Sequence, residues 1–175
     1  MRITGGVHKG RKILVPRGVI RPAMDRMRES LFAILGDLNG SSFLDLYAGS
    51  GVVGIEAASR GAAPVVFVEK DYAKKQTLKR NCEFLTTGFQ IYMMPVQRFI
   101  KRWKGSFDLI YLDPPFNLRG KFQILTEIED NELLSEKGIM IIHAPGEEIF
   151  PKTLTRLSLT DLRQYGRSVL LFFKA

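Results

Sequence analysis

A glycine-rich turn between two apolar runs is the sequence feature that most constrains the fold. Gly49, Gly51 and Gly54 match the spacing G-x-G-x-x-G. Residues 42–47 before the turn predict a strand, and residues 52–60 after it predict a helix. Glycines at this spacing let the backbone approach a ligand and let the helix pack closely on the strand. The chain is therefore predicted to contain a strand–turn–helix unit of an α/β sheet.

The same alternation of strand-like and helix-like runs continues along the chain. The predicted strands are 42–47, 65–69, 90–94, 107–112, 138–143, 154–159 and 168–173. The predicted helices are 22–36, 52–60, 71–85, 96–103 and 119–130. The last two strands are joined by a link too short for a crossover helix, so we expect them to be antiparallel. The predicted class is α/β, a doubly wound Rossmann-like fold whose mostly parallel sheet has one antiparallel strand near its edge.

Composition excludes several classes of protein. The chain has 175 residues, of which 45% are hydrophobic and 25% charged, as expected for one globular domain. It has no apolar run of about 18 residues and no secretory signal pattern, so we expect no membrane span and a cytoplasmic location. A single cysteine, Cys82, excludes an internal disulfide, and with only His8 and His143 beside it we expect no metal site.

Acidic residues follow three of the predicted strands, at the ends where such sheets bind ligands. Glu69 stands where a ribose-binding acid belongs, and it suits NAD, FAD or S-adenosylmethionine equally. Asp45 is unfavourable beside a pyrophosphate but favourable beside the sulfonium and ammonium groups of S-adenosylmethionine. The alternative for Asp45 is a structural acid that accepts hydrogen bonds from amides of the turn.

The third acid opens the tetrapeptide Asp113-Pro114-Pro115-Phe116, which is suited to holding a planar exocyclic amine. Asp113 can accept one N–H, and a proline-restricted turn can direct a backbone carbonyl at the other. Phe116 offers a face on which a base can stack. We therefore predict a catalytic role for these four residues. The alternative is a strand that simply ends in a Pro-Pro turn.

The positive charge of the chain is concentrated near its N-terminus. Residues 1–30 contain eight Lys or Arg and two acids, whereas the remainder is nearly balanced. A concentrated basic segment is typical of contact with a nucleic-acid backbone, and the alternative is a solvated tail. We predict a β-hairpin-like, RNA-binding extension over residues 1–20 and a catalytic domain over 21–175. The predicted RNA-binding side chains are Arg2, Lys9, Arg11, Lys12, Arg17, Arg21, Arg26 and Arg28.

Together, these motifs resemble those of a known family over nearly the whole chain. The opening Arg2-Ile3-Thr4-Gly5-Gly6, the segment from Asp25 to Leu35 and the turn from Asp45 to Gly51 resemble the RsmD family of bacterial ribosomal RNA methyltransferases. The resemblance implies a class I methyltransferase fold with S-adenosyl-L-methionine as methyl donor. It also implies that the acceptor is the exocyclic N2 amine of one guanine in 16S rRNA, within a small ribosomal subunit or an assembly intermediate.

The predicted donor site combines the glycine turn with the acids at the strand ends. Met94-Pro95-Val96 stands where the family often has an acid or amide near the adenine, so adenine must rely on backbone groups and apolar packing. The predicted donor-binding residues are Asp45, Tyr47, Ala48, Gly49, Ser50, Gly51, Glu69, Lys70, Val96 and Asp113.

Three other functions fit parts of this pattern. DNA adenine-N6 and protein glutamine-N5 methyltransferases use a similar amine clamp. The length of 175 residues leaves no room for a separate target-recognition domain, which argues against sequence-specific DNA modification. A non-catalytic RNA-binding assembly protein is the third alternative. The joint presence of Asp45, Gly49, Gly51, Glu69 and Asp113 argues against it.

Overall fold

A computed structural model describes residues 1–15 and 22–175, with side chains from residue 24 onward in the second range. Within these residues, seven strands form a single sheet. The strands are β1 (Phe43–Leu46), β2 (Val65–Glu69), β3 (Phe89–Met93), β4 (Phe107–Leu112), β5 (Leu134–Pro145), β6 (Ser158–Tyr165) and β7 (Ser168–Lys174). The α-helices are α1 (Pro22–Leu35), α2 (Val52–Ser59), α3 (Lys75–Cys82), α4 (Val96–Arg102) and α5 (Lys121–Asp130), and a 3-10 turn covers Tyr72–Lys74.

The order of the strands confirms the predicted doubly wound sheet. The order is β3-β2-β1-β4-β5-β7-β6, and the first five strands are parallel. Strand β7 runs antiparallel to both of its neighbours, β5 and β6. The chain changes direction across the sheet between β1 and β4, and the crevice outside the carboxyl ends of these strands is where such folds bind ligands.

Apolar side chains cover both faces of the sheet. Successive residues of a strand point to opposite faces, so Leu44 and Ile110 pack on one side while Phe43 and Tyr111 pack on the other. Helices α4 and α5 cover the first face, and α1, α2 and α3 cover the second. Burial on both faces explains why the parallel strands are continuous apolar runs in the sequence.

The N-terminal segment folds back on itself and packs on the domain. The amide of Ile3 donates to the carbonyl of Arg11 at 3.0 Å, and the amide of Ile13 donates to the carbonyl of Met1 at 3.0 Å. Ile3 and Ile13 are buried in the same core as α1 and α2. The side chain of Asn81 on α3 bonds both the amide and the carbonyl of Leu14, which joins the segment to that helix. The division at residue 20 lies outside the described residues and stays a prediction.

A fully buried carboxylate on α2, that of Glu56, joins three parts of the chain. It pairs with Arg28 of α1 at 2.6 Å and with Arg60 at 2.9 Å, and it accepts from the hydroxyl of Thr4. Arg28 is 2% exposed and also donates to the carbonyl of Arg2. The prediction that Arg28 binds RNA is therefore wrong, because its guanidinium is buried and bonded to Glu56 and to the carbonyl of Arg2.

The predicted strand over 154–159 is also wrong, and a buried acid explains the error. The Glu129 carboxylate accepts the backbone N–H groups of Thr155, Arg156 and Leu157, so these amides are not available to the sheet. The strand forms later, from Ser158 to Tyr165. Its residues are largely polar because β6 lies at the edge of the sheet.

The Glu56 cluster predicts a large difference between two neighbouring arginines of α1. Replacing Arg28 by Met leaves the buried Glu56 carboxylate without its closest charged partner, so we expect the free energy of unfolding to fall by about 3 kcal/mol. Arg26 is exposed, and Arg26→Met should change it by less than about 0.5 kcal/mol. Urea unfolding of both variants measures the difference. Equal stabilities would show that the buried ion pair does not hold the N-terminal segment.

Candidate functional site

Three acids meet at the carboxyl edge of the sheet because their strands are adjacent. Glu69 ends β2, Asp45 lies in β1, and Asp113 follows β4. A cavity of about 990 Å³ lies at this edge, large enough for a small-molecule cofactor and part of a second substrate. It extends from Glu69 and Lys70 at one end, past Asp113, to Arg167 at the other.

The glycine turn is tied to the neighbouring strand through Glu69. The amide of Gly49 donates to Glu69 Oε2 at 2.8 Å, and the amide of Asp71 donates to Oε1 at 2.8 Å. Tyr47 and Gly49 both have positive φ, 63° and 58°, which lets the backbone turn sharply after β1. Each carboxylate oxygen has a second lone pair, so Glu69 retains capacity for the two hydroxyls of a ribose.

Asp45 stabilises the glycine turn through a hydrogen bond to the helix that follows it. It is 2% exposed, and its Oδ2 accepts the backbone N–H of Gly54 at 2.9 Å in the first turn of α2. Burial raises the pKa of Asp45 to about 8, the Gly54 hydrogen bond opposes this, and the charges of Asp113 and Glu69 add to it. The structural role that the sequence left open is therefore present. A contact between Asp45 and the donor stays a prediction.

Two predicted donor-binding residues, Gly51 and Val96, are buried, and so is Gly54 of the same motif. A Cβ on Gly51 would lie 2.5 Å from Leu78 Cδ1, and one on Gly54 would meet the ring of Phe67. These glycines are thus required for packing of helix on strand. The surroundings of Gly51 show this packing role, and the close approach of its backbone to a ligand stays a prediction. Val96 is 3% exposed and packs in the core, and its contact with a donor stays a prediction.

The remaining donor-site candidates lie on or beside the turn. Tyr47 and Lys70 line the cavity. The carbonyl of Ala48 accepts the Gly51 amide at 2.7 Å, and the carbonyl of Ser50 accepts from Asn81 at 2.8 Å. Burial also raises the pKa of Tyr47 to about 12, so its hydroxyl stays protonated.

The Asp113-Pro114-Pro115-Phe116 segment forms the wall of the cavity beyond β4. Asp113 Oδ1 lies 2.8 Å from Nδ1 of His143 on β5. The ring of Phe116 meets the His143 ring edge-on, with centroids 5.2 Å apart and planes at 66°, and Phe116 remains 41% exposed. The other oxygen of Asp113 and one face of Phe116 are thus left for a ligand.

A buried lysine holds the loop that follows. Lys121, 2% exposed, donates to the carbonyls of Phe116 and Leu118 at 2.9 Å each and pairs with Glu148 at 2.7 Å. The carbonyl of Pro115 accepts the Leu118 amide at 2.9 Å. Within the described part of the chain the carbonyl of Pro114 has no such partner, so it remains the acceptor that this turn can offer.

Sequence reasoning missed three contributors to this wall. In the sequence, His143 bears only on the exclusion of a metal site, although it lies in a predicted strand at the end that meets Asp113. No pattern marks Lys121, since a lysine that opens a helix is ordinarily solvated. The turn Tyr165–Ser168 reaches the cavity only because β7 pairs with β5.

The predicted RNA-binding residues fall into three groups. Arg2, Lys9, Arg11, Lys12 and Arg26 are exposed, although Arg2 donates to the carbonyl of Gly10 at 2.7 Å and Arg11 lies 3.7 Å above the ring of Phe84. Arg28 is buried, as described above. Arg17 and Arg21 lie outside the described residues.

Residues 1–15 and 22–175 contain neither a metal cluster nor a membrane-spanning helix. There, no group of three or more His, Cys, Asp or Glu side chains is arranged to hold a metal ion. None of the helices in this part of the chain is both long and apolar enough to cross a membrane.

The strand order and the acids at the β1–β4 switch point define a Rossmann-like class I methyltransferase fold, as solved structures of the same architecture confirm. The family model described as "Conserved hypothetical protein 95" matches residues 1–174. The chain belongs to this family, which confirms the resemblance to the RsmD proteins.

Individual relatives agree with the family model. YlbH of Bacillus subtilis, provisionally named as an rRNA methyltransferase, is 35% identical over 99% of this chain and 98% of its own. Ribosomal RNA small subunit methyltransferase D of Escherichia coli K12 is 32% identical over 91% of this chain and 82% of its own. The solved structure of yhhF from Escherichia coli, provisionally named as a methyltransferase, has a TM-score of 0.88 at 29% identity and covers 100% of this chain and 98% of its own.

The burial of Asp45 predicts a pH-dependent stability. A carboxyl group whose pKa rises from 3.8 to about 8 on folding binds more protons in the folded state, so stability falls as pH rises between these values. Asp45→Asn keeps an acceptor for Gly54 and abolishes the titration. We therefore expect the free energy of unfolding of Asp45→Asn, relative to that of the wild type, to increase as the pH rises from about 5 to 8. The increase should be at most about 1.4 kcal/mol per pH unit.

Urea unfolding across this range measures the effect. Asp130→Asn, at an exposed position at the end of α5, is the control and should follow the wild type. Parallel curves for wild type and Asp45→Asn would contradict the assignment of a protonated Asp45 near neutral pH.

Proposed function

We propose that this chain transfers a methyl group from S-adenosylmethionine to the exocyclic N2 amine of a guanine in 16S rRNA. The observation that carries the proposal is the pair of free acceptors beside the cavity, the second oxygen of Asp113 and the carbonyl of Pro114. They are the acceptors that the two N–H bonds of an aryl amine require. The relatives' names supply ribosomal RNA of the small subunit as the substrate class.

The residues at the other end of the cavity fit the methyl donor. Glu69 has lone pairs left for ribose hydroxyls, and the Asp113 carboxylate, which lines the cavity, favours the positive sulfonium and ammonium groups. Lys70 and Lys74 line the same end of the cavity. When bound, S-adenosylmethionine supplies a methyl group that its sulfonium activates.

On the acceptor side, the chain has to hold and align the amine. An aryl amine is a poor nucleophile because its lone pair is delocalised into the ring. Hydrogen bonds to Asp113 and to the Pro114 carbonyl favour a pyramidal nitrogen whose lone pair points away from both acceptors. Alignment of this kind accelerates methyl transfer because it holds the nitrogen close to the methyl group and in the reactive orientation. Asp113 also takes up the proton that the nitrogen loses.

The target base has to leave its stack to reach these acceptors. Unstacking costs a few kcal/mol, which a stacking platform partly offsets. Phe116 is 41% exposed and its ring plane is fixed by the edge contact with His143, so it is that platform. The turn from Tyr165 to Ser168 lines the opposite side and brings Arg167 to the mouth of the cavity, near the phosphates of a splayed nucleotide.

The basic N-terminal segment supplies the sequence-independent part of RNA binding. Lys9, Arg11 and Lys12 are exposed on a segment fixed to α3, whose Lys79 and Arg80 are exposed as well. We infer that these side chains contact the RNA backbone in a small ribosomal subunit or an assembly intermediate, in the cytoplasm. Because the segment is packed and hydrogen-bonded, it can fix the register of the RNA as well as its affinity.

The reaction itself is tested by the identity of the product. The protein is incubated with labelled S-adenosylmethionine and, separately, small ribosomal particles, naked 16S rRNA, DNA and protein extract. We expect N2-methylguanosine in the rRNA. Asp113→Ala, shown to be folded and to bind S-adenosylmethionine, should lower the transfer rate by about 100-fold because the amine loses an aligning acceptor. Asp130→Ala is the matched surface control.

Each other outcome identifies an alternative. Label in N6-methyladenine or in a glutamine side chain would assign one of the other amine methyltransferase activities. Binding of RNA without any transfer would assign the non-catalytic role. Asp113→Ala that transfers methyl groups at the wild-type rate would refute the proposed amine clamp.

The basic segment predicts a change in the salt dependence of RNA binding. Replacing Lys9, Arg11 and Lys12 together by Ala should weaken binding and lower the slope of log K against log salt by about 0.7–0.9 for each phosphate that is no longer neutralised. The affinity for S-adenosylmethionine should not change. Alanine at Lys101, Arg102 and Lys137, which are exposed elsewhere, is the charge-matched control. If both triple variants have the same slope, the segment does not provide the electrostatic attraction.

A further inference from the structure

A histidine on β5 bonds the acid of the proposed amine clamp, and its importance rests on the proposed function. His143 is 5% exposed and lies in β5. Its Nδ1 is 2.8 Å from Asp113 Oδ1. An ionised carboxylate only accepts hydrogen bonds, so the hydrogen lies on Nδ1, which donates to Asp113.

The surroundings of His143 indicate that the fold gains little from the imidazole itself. Its Nε2 is buried and has no partner among the described residues. A buried polar atom without a partner costs stability, and an apolar side chain at this position would not incur the cost. The polar contact that His143 does make is directed at the acid of the amine clamp.

The contact also determines which part of Asp113 is free. Asp113 follows the last residue of β4, and its backbone is fixed by a hydrogen bond from its amide to the carbonyl of Leu46 at 3.2 Å. Its side chain is 31% exposed, so water alone would leave it several orientations. The bond from His143 holds Oδ1 on the side of β5 and leaves Oδ2 as the acceptor on the cavity side. The edge of the same imidazole sets the plane of Phe116.

We propose that His143 is a positioning residue for methyl transfer, which orients the Asp113 carboxylate through Nδ1 and the stacking face of Phe116 through its ring. His143 lines the cavity, but it is 5% exposed and acts through its contacts with Asp113 and Phe116. It acts by reducing the orientations that the clamp samples before the amine enters.

A pair of variants separates this role from a structural one. Asn places an amide donor near the position of Nδ1, and Leu has a similar shape without a donor. His143→Leu should lower the single-turnover rate at saturating RNA by between about 10- and 100-fold. His143→Asn should recover most of that loss. The Kd for S-adenosylmethionine and the KM for RNA should stay within about twofold of the wild type in both variants.

Stability and coupling provide the decisive readouts. The urea midpoint of His143→Leu should stay close to that of the wild type, because the loss of the bond to the partly exposed Asp113 is offset by the removal of an unpartnered buried polar atom. In the Asp113→Ala background, His143→Leu should cause a much smaller loss of rate than in the wild type, because its main route through the Asp113 carboxylate is missing and only the contact with Phe116 remains. The proposal would be overturned if His143→Leu lowered the rate by the same factor in the wild-type and Asp113→Ala backgrounds. It would also be overturned if His143→Leu lowered the urea midpoint and His143→Asn did not recover the rate.

A spectroscopic arm tests the contact without any reaction. Nitrogen-15 NMR of the wild-type histidines should show the His143 tautomer with hydrogen on Nδ1, and Asp113→Ala should change that signal. An unchanged signal would overturn the proposal. A wild-type chain that bonds in this way but methylates no RNA would instead refute the proposed function, so the two failures are distinguishable.

Discussion

The structure depends on placing three carboxylates side by side at the carboxyl edge of a parallel sheet. Acids buried this close together are unfavourable unless each is given hydrogen-bond donors. Gly54 supplies a donor to Asp45 and Gly49 supplies one to Glu69, both at 2.8–2.9 Å. The conformation of the turn therefore depends on its hydrogen bonds to the two acids as well as on the absence of side chains at its glycines. The amides of Gly49 and Gly54 thus offset the cost of burying the two acids and also fix the backbone at the edge of the cavity.

The two ends of the cavity are built by different means. On the donor side, glycines let α2 and α3 pack tightly on β2, and hydrogen bonds to Glu69 and Asp45 hold the backbone of the turn. On the acceptor side, the loop after β4 has no regular structure, and a buried lysine at the start of α5 holds two of its carbonyls. Insertion of β7 beside β5 then brings the β6–β7 turn to the far wall.

The N-terminal segment combines a buried apolar side with an exposed basic surface. Its apolar residues complete the core, and the carboxylate of Glu56 ties it to α1 and α2. Its remaining basic side chains stay exposed on a framework that hydrogen bonds to α3 hold in place. A surface fixed in this way can orient a large RNA relative to the cavity, which a solvated tail could not do.

The sequence by itself determined the strand–turn–helix unit, the order of elements, the acids at the strand ends and the tetrapeptide after β4. These follow from local periodicity and from residues whose chemistry is fixed by their neighbours in the chain. Only the tertiary structure decided that Arg28 is buried, that Glu129 displaces the start of β6, and that His143 and Lys121 hold the acceptor loop. Each of these depends on partners 3 to 30 residues away in the chain. No local pattern encodes such a contact, because burial and pairing are set by how the strands and helices meet.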